Sequence, residues 1–246
     1  MDKSYASSHL GREAAQNYED KEYGDNAYST YLWNIEKDYL LRVLKKLNSK
    51  KINYLDFACG TGRVINFVES YVYRSSGVDI SEEMLNIARK KVKHSTLYKK
   101  DILKDKLTGT YDLITVFRFF LNAEPFLREK VLLNLKSCMK KDALLIFNIH
   151  GNTFSFRFIT SLIFRIFLKR KLNQLSYYDI RKLMDTLGFK IVDCAGMGFL
   201  PKVMYRIGFL MDSLYKIDFL LYKLKLFRYF SRNLVFTVKQ IQVAGC

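Results

Sequence analysis

Apolar residues recur at three- and four-residue steps over residues 31–47 (YLWNIEKDYLLRVLKKL), which is the spacing of an amphipathic helix. A short apolar run at 52–57 ends in the turn Ala58-Cys59-Gly60-Thr61-Gly62, and helical spacing returns over 63–73. The alternation continues along the chain. Residues 75–80, 96–100, 111–117 and 143–149 read as strands. Ser81 is placed to N-cap a helix that carries Glu82 and Glu83 in its first turn, and Pro125 opens another that runs to about residue 139. Ser176-Tyr-Tyr-Asp179 has capping-box spacing and starts a helix to residue 187, stopped by Gly188. Strands at 189–194 and 234–238 complete the pattern. The segment between them, 199–232, is too apolar for a loop. At 100° steps it puts Lys202, Arg206, Ser213, Lys216 and Lys223 on one polar stripe, with most of the rest apolar. It is expected to be a helical insertion, broken near Gly208 or Asp212.

Strands that alternate with helices form βαβ units, so the expected fold class is α/β with a mostly parallel sheet covered by helices on both faces. Composition agrees with one globular domain over 1–246: 49% of residues are hydrophobic, 26% are charged, and the only prolines are Pro125 and Pro201. Cys59, Cys138, Cys194 and Cys246 form no CxxC pair, which suits a reducing, cytoplasmic setting better than a disulfide scaffold. The polar N-terminus does not read as a secretory signal, and no apolar run reaches the length of a membrane span. The net charge of +17 is skewed: residues 151–246 hold 16 Lys and Arg against 5 Asp and Glu. These basic residues are interleaved with Phe, Tyr, Leu and Ile. Such a surface attracts anionic lipid, nucleic acid or a phosphorylated substrate, and it also fits an ordinary Lys-rich solvated face.

Candidate chemistry collects at the ends of the first strands. The turn Asp56-Phe-Ala-Cys-Gly60-Thr-Gly62 brings backbone amides close to a ligand, yet it lacks both the GxGxxG spacing and the Gly-Lys-Ser/Thr of a phosphate loop. An acid leads it, and a carboxylate there suits a ligand carrying an ammonium group. Asp79 closes the second strand (Gly77-Val-Asp-Ile-Ser81), where a carboxylate can accept from both hydroxyls of a ribose. Asp101 follows the third (Lys99-Lys-Asp-Ile-Leu103), placed to accept from an exocyclic amine. One strand-end acid often only caps a helix. Acids at three successive strand ends, behind a glycine turn, are much harder to obtain from structure alone.

Over roughly 50–150 the pattern resembles the class I S-adenosylmethionine-dependent methyltransferases. LDFACGTGR is similar to their first motif, GVDIS to their ribose-binding motif, KKDIL to their adenine-side motif and YDLITVFRFF to their fourth. The resemblance implies a Rossmann-like seven-stranded sheet whose last strand is antiparallel between the fifth and sixth. It also implies S-adenosylmethionine as cofactor, bound by Asp56, Ala58, Gly60, Asp79, Asp101 and Phe117, with Ile80, Met84 and Ile102 packing on the adenine. On this reading residues 1–48 are an N-terminal helical cap, 49–150 the cofactor-binding core, and 151–246 the substrate side, with the 199–232 insertion near the substrate or at a dimer surface. Tyr18, Tyr23 and Tyr28 fall where related enzymes fold an N-terminal lid, and Tyr18 is the candidate cofactor contact among them. Two departures stand out: Ala58 replaces the usual first glycine, and Lys141-Asp142 stands where a Pro-Gly turn is usual, a change expected to affect only a surface loop.

An alcohol acceptor needs a base. Of His9, His94 and His150, only His150 falls on the cofactor side, at the end of the fifth strand in Asn148-Ile-His-Gly-Asn152. It is the candidate catalytic residue; its bland alternative is a strand-end anchor. Arg118, Asn122 and Asn152 are candidate substrate contacts, Arg118 for a carboxylate or phosphate, with pairing to a local acid such as Glu124 as its alternative. FRFFLNAEP with NIHGN resembles a bacterial subgroup often associated with glycan assembly, which implies O-methylation of a sugar or a lipid-linked glycan. The alternatives are a small natural-product acceptor and a cofactor-binding scaffold without catalysis. A nucleic-acid acceptor fits poorly, because no Asn/Asp-Pro-Pro-aromatic tetrad is present. No metal site is expected. Residues 154–171 and 199–232 leave three partners open: a peripheral anionic membrane surface at the inner membrane, a second subunit, or the domain's own core.

Overall fold

The computed structural model describes residues 27–47, 51–155, 174–200, 204–206, 211–225 and 227–241, together with Gln16, Phe158, Leu162, Ile166 and Phe167. Helix α1 (Ala27–Lys46) leads into β1 (Asn53–Phe57), α2 (Arg63–Val68), β2 (Arg74–Asp79), α3 (Glu82–Arg89) and β3 (Thr96–Lys99). Next come β4 (Tyr111–Val116), α4 (Pro125–Ser137), β5 (Met139–Ile149), α5 (Tyr177–Thr186) and β6 (Phe189–Met197). Helix α6 (Met211–Leu224) and β7 (Asn233–Gln240) close the chain.

The sheet has seven strands in the order β3-β2-β1-β4-β5-β7-β6. Pairings among β1 to β5 are parallel, as the alternation of strands and helices implies, and β7 runs antiparallel to both β5 and β6, as the family resemblance implies. Side chains alternate between the faces, so each strand feeds two cores. Leu55, Ile114, Leu145 and Phe147 pack with Val131, Leu132 and Leu135 of α4 and Ile180 and Met184 of α5. Tyr54, Leu113, Ile146 and Val235 pack with Ile35, Tyr39 and Leu40 of α1, Ile65 of α2, and Leu214 and Tyr222 of α6. The strand order reverses between β1 and β4, and ligands of open α/β sheets lie beyond the strand ends at such a point.

Local chemistry sets the element ends. Ser81 Oγ accepts from Met84 N at 3.3 Å, and Ser176 and Asp179 form a reciprocal capping box. The helix expected over 63–73 stops earlier: α2 ends at Val68 and a 3₁₀ turn, Glu69–Tyr71, follows. The Glu69 carboxylate is turned inward, where it accepts from the amides of Lys93 and His94 and from the Ser95 hydroxyl, so the chain leaves helical geometry to hold it there. The surface loop expected at Lys141-Asp142 is also absent. With no Pro or Gly to break it, β5 runs through both residues, and neighbouring Lys140 bonds to Asp112 at 2.8 Å.

The insertion is helical over its described part: a 3₁₀ turn at Met204–Arg206 precedes α6, Asp212 lies within the first turn of α6 and not at a break, and Gly208 lies outside the described residues. Ser213, Lys216 and Lys223 are exposed, which accords with the polar stripe; Lys202 and the Arg206 side chain are outside the description. The buried face of α6 departs from the expected apolar pattern, because Asp218 sits on it at 0% exposure. Tyr205 donates to one Asp218 oxygen and Phe199 N to the other at 3.2 Å. Around it Tyr31 stacks on Tyr215 at 4.3 Å, and Tyr222 and Lys223 reach Asp38 on α1. Helix α6 thereby clamps α1 against the sheet. No helix among the described residues is long and apolar enough to cross a membrane.

Candidate cofactor site

The glycine turn after β1 is held by its neighbours. Cys59 N donates to Val78 O at 3.0 Å, and Gly60 N donates to Asp79 Oδ2 at 2.8 Å. The loop is therefore tied to the end of β2. Ala58, Gly60 and Gly62 all take left-handed φ angles of 54°, 53° and 83°. Alanine in this conformation costs about 1–2 kcal/mol, so the replacement of the usual glycine is tolerated with strain rather than freely. A Cβ at Gly60 would meet nothing within 4 Å, whereas one at Gly62 would lie 2.9 Å from Ala88 Cβ. Gly60 faces open space for a ligand, and Gly62 lets α2 pass α3.

Beyond the ends of β1, β2, β3 and β4 lies a cleft of about 830 Å³ lined by Ala58, Gly60, Asp79, Ile80, Met84, Asp101, Ile102, Phe117, Arg118 and Asn122, among others. The residues expected to hold the adenosyl part thus share one wall. Asp79 Oδ1 accepts from Ser81 N at 2.9 Å, which fixes the carboxylate at the cleft edge. Asp101 Oδ1 accepts from Leu103 N at 3.0 Å, so this acid shapes its own turn as well as lining the cleft. Met84, Ile102 and Phe117 supply buried apolar surface.

A second, smaller pocket of about 450 Å³ opens behind the glycine turn, lined by Trp33, Glu36, Asp56, Arg63 and Val64 and by Ala58, Gly60, Phe117 and Arg118, which it shares with the cleft. Asp56 is 2% exposed; Oδ1 accepts from Thr115 Oγ1 at 2.6 Å and Oδ2 from Ile65 N at 3.1 Å. Burial raises its pKa to about 7, against the pull of those two bonds and with help from the charge of Asp79. Both oxygens are engaged within the protein, so Asp56 braces the turn from inside. Trp33, Glu36 and Arg63 escaped the reading of the sequence. The signal was present: Glu36 is an acid set within the apolar face of α1, three residues after Trp33.

The acceptor-side residues divide. Arg118 sits at the shared wall in a left-handed conformation, φ 60°. Its amide donates to Asn148 Oδ1 at 2.7 Å, and its carbonyl accepts from Asn122 Nδ2 at 3.0 Å. His150 is half-buried at the end of β5 and lines neither pocket. Asn152 is corrected outright as a substrate contact: it is fully buried, its Nδ2 donates to the carbonyls of Tyr229 and Ser231 at 2.6 and 2.8 Å, and its Oδ1 accepts from Phe154 N. It ties the exit of β5 to the entry of β7. Tyr18 and Tyr23 lie outside the described residues. Tyr28 is packed against Tyr205 at 4.9 Å and lines neither pocket, and it is Trp33 and Glu36 that bring α1 to the site.

A methyltransferase domain model matches residues 28–193, and the chain belongs to that family of enzymes, whose cofactor is S-adenosylmethionine. YqeM of Bacillus subtilis (strain 168), named as a methyltransferase, is 30% identical over 112 residues, a stretch spanning 42% of this chain and 44% of that protein. The fold is shared with a solved S-adenosylmethionine-dependent methyltransferase of Clostridium acetobutylicum (TM-score 0.61, 16% identity, 94% of this chain and 98% of that one). It is shared too with the magnesium protoporphyrin IX methyltransferase of Synechocystis solved with S-adenosylhomocysteine (TM-score 0.60, 17% identity, 92% and 98%). The residues present fit this cofactor: an acid pair and apolar side chains for the adenosyl part, and a backbone turn open at Gly60.

Proposed function

We propose that the chain transfers the methyl group of S-adenosylmethionine to a hydroxyl of a small, negatively charged acceptor, a sugar or glycan unit being the leading class. The observation that carries this reading is Arg118, a guanidinium-bearing residue locked at positive φ on the wall common to both pockets. A conformation that costs energy, held by Asn148 and Asn122, has its simplest use in aiming a charge at an anionic acceptor. The sulfonium donor supplies an activated methyl, which leaves positioning and water exclusion to the protein. His150 is the proposed base. Val116 pairs with Phe147 in the sheet, so the strands that lead to Arg118 and His150 end on the same edge. The names of fold relatives include enzymes acting on a magnesium porphyrin and an N-methyltransferase, which favours a small natural-product acceptor as the second reading. His150→Ala should lower turnover by about two to four orders of magnitude with S-adenosylhomocysteine affinity intact. Unchanged turnover across a panel of anionic sugar acceptors would remove the base assignment.

We also propose that the acceptor is met at an anionic membrane surface. On α6 the exposed side chains Ile217, Leu220 and Leu224 form one strip, with Lys216 and Lys223 along its flank. Phe158, Leu162, Ile166 and Phe167 are exposed as well, the last at 77%. An apolar strip flanked by lysines, as on α6, suits the headgroup region of anionic bilayers. Flotation with anionic vesicles should be weakened by salt and lost when Arg165, Lys169, Arg170 and Lys171 are changed to Glu. Protein that stays at the bottom of the gradient under all conditions would contradict it.

A further inference from the structure

We infer that α1 and α2 provide the grip on the amino-acid end of the methyl donor: Glu36 accepts hydrogen bonds from its ammonium group, and Arg63 donates to its carboxylate. This rests on the reading of the larger cleft as the adenosyl site. If the adenosyl part occupies the wall of Asp79 and Asp101, the rest of the molecule must pass Ala58, Gly60 and Phe117, and the pocket behind them is the only continuation that shares those residues among the pockets described.

That pocket carries the charges a zwitterion needs. Glu36 is 4% exposed yet lines it, and Asn148 Nδ2 donates to Glu36 Oε1 at 2.8 Å, which fixes the carboxylate without neutralising it. A buried carboxylate with no cation bonded to it among the described residues is costly, and a ligand ammonium would compensate it. Arg63 stands at the start of α2, with its guanidinium 4.6 Å from the Trp33 ring centre. The ring holds the cation at the pocket wall. Asp56 is poorly suited to the ammonium role that its place in the turn suggests. Its two oxygens already accept from Thr115 and Ile65, and burial raises its pKa to about 7, so that charge is partly lost near neutral pH.

The same pocket links donor and acceptor. Asn148 donates to Glu36 and accepts from Arg118 N, so one buried amide joins the proposed ammonium contact to the residue that faces the acceptor. Filling the amino-acid pocket would therefore stiffen Arg118 through Asn148.

The test titrates S-adenosylhomocysteine and 5′-methylthioadenosine, which lacks the amino-acid end, against the full chain and its variants. Glu36→Gln and Arg63→Gln are each expected to weaken S-adenosylhomocysteine by about tenfold or more, the scale of a lost charge-assisted bond, and to leave methylthioadenosine within about twofold. Methylthioadenosine binding also reports that each variant is folded. Equal weakening of both ligands, or of neither, would overturn the inference while leaving the adenosyl assignment in place. Failure of both ligands to bind the wild-type chain would overturn the cofactor reading itself.

Discussion

Asp79→Ala is expected to weaken S-adenosylhomocysteine binding by about 1.5–3 kcal/mol, roughly ten- to more than a hundredfold, the range for hydrogen bonds to a charged group. The carboxylate has two tasks here. It faces the cleft at the end of β2, where the ribose hydroxyls are expected to donate to it, and it accepts from Gly60 N at 2.8 Å and Ser81 N at 2.9 Å. Alanine removes both, so the glycine turn loosens as the ribose contact is lost. Calorimetric titration of the variant, with thermal unfolding as a check that the fold persists, measures the effect. An affinity equal to the wild type would mean that the cleft is not the adenosyl site.

Asp218→Ala is expected to lower folding stability by about 2–6 kcal/mol, since it orphans two buried donors at about 1–3 kcal/mol each. Those donors are the Tyr205 hydroxyl and Phe199 N. Burial raises the pKa of this carboxyl, and the bonds from Tyr205 and Phe199 oppose that rise. The site lies where α6, the strand exit after β6 and the tyrosines of α1 converge, so its loss would free the clamp on α1. Asp218→Asn, which keeps an acceptor for Phe199 N, should fall between the two. Urea unfolding checks both, and a midpoint unmoved in Asp218→Ala would contradict the account of α6.

What could be read in the sequence depended on how local the cause was. The parallel strands, the cap at Ser81, the box at Ser176 and Asp179, and the strand-end positions of Asp79 and Asp101 follow from short-range patterns, while Ile80, Met84 and Ile102 on the same wall are implied by the family resemblance. The misplacements arise from contacts distant along the chain. Asn152 looks like a site residue from its neighbours His150 and Gly151, but its amide is consumed by Tyr229 and Ser231, some eighty residues away. Glu36 stands out only as an acid within the apolar face of α1, and its partner Asn148 and the glycine turn lie far along the chain. Asp218 looks like a polar interruption of an apolar stretch, and only the fold shows that Tyr205 and Phe199 surround it. Asp56 was legible as a member of the motif, while its engagement by Thr115 required the pairing of β1 with β4.

The most direct test of the central claim is a crystal structure of the chain with S-adenosylhomocysteine. The account predicts the adenine between Ile80, Met84 and Ile102, the ribose hydroxyls within hydrogen-bond distance of Asp79, and the amino-acid end behind Gly60 beside Glu36 and Arg63. A ligand bound away from the β1–β4 edge, or lying in the cleft with the adenine toward Trp33 and the amino acid toward Asp101, would contradict it.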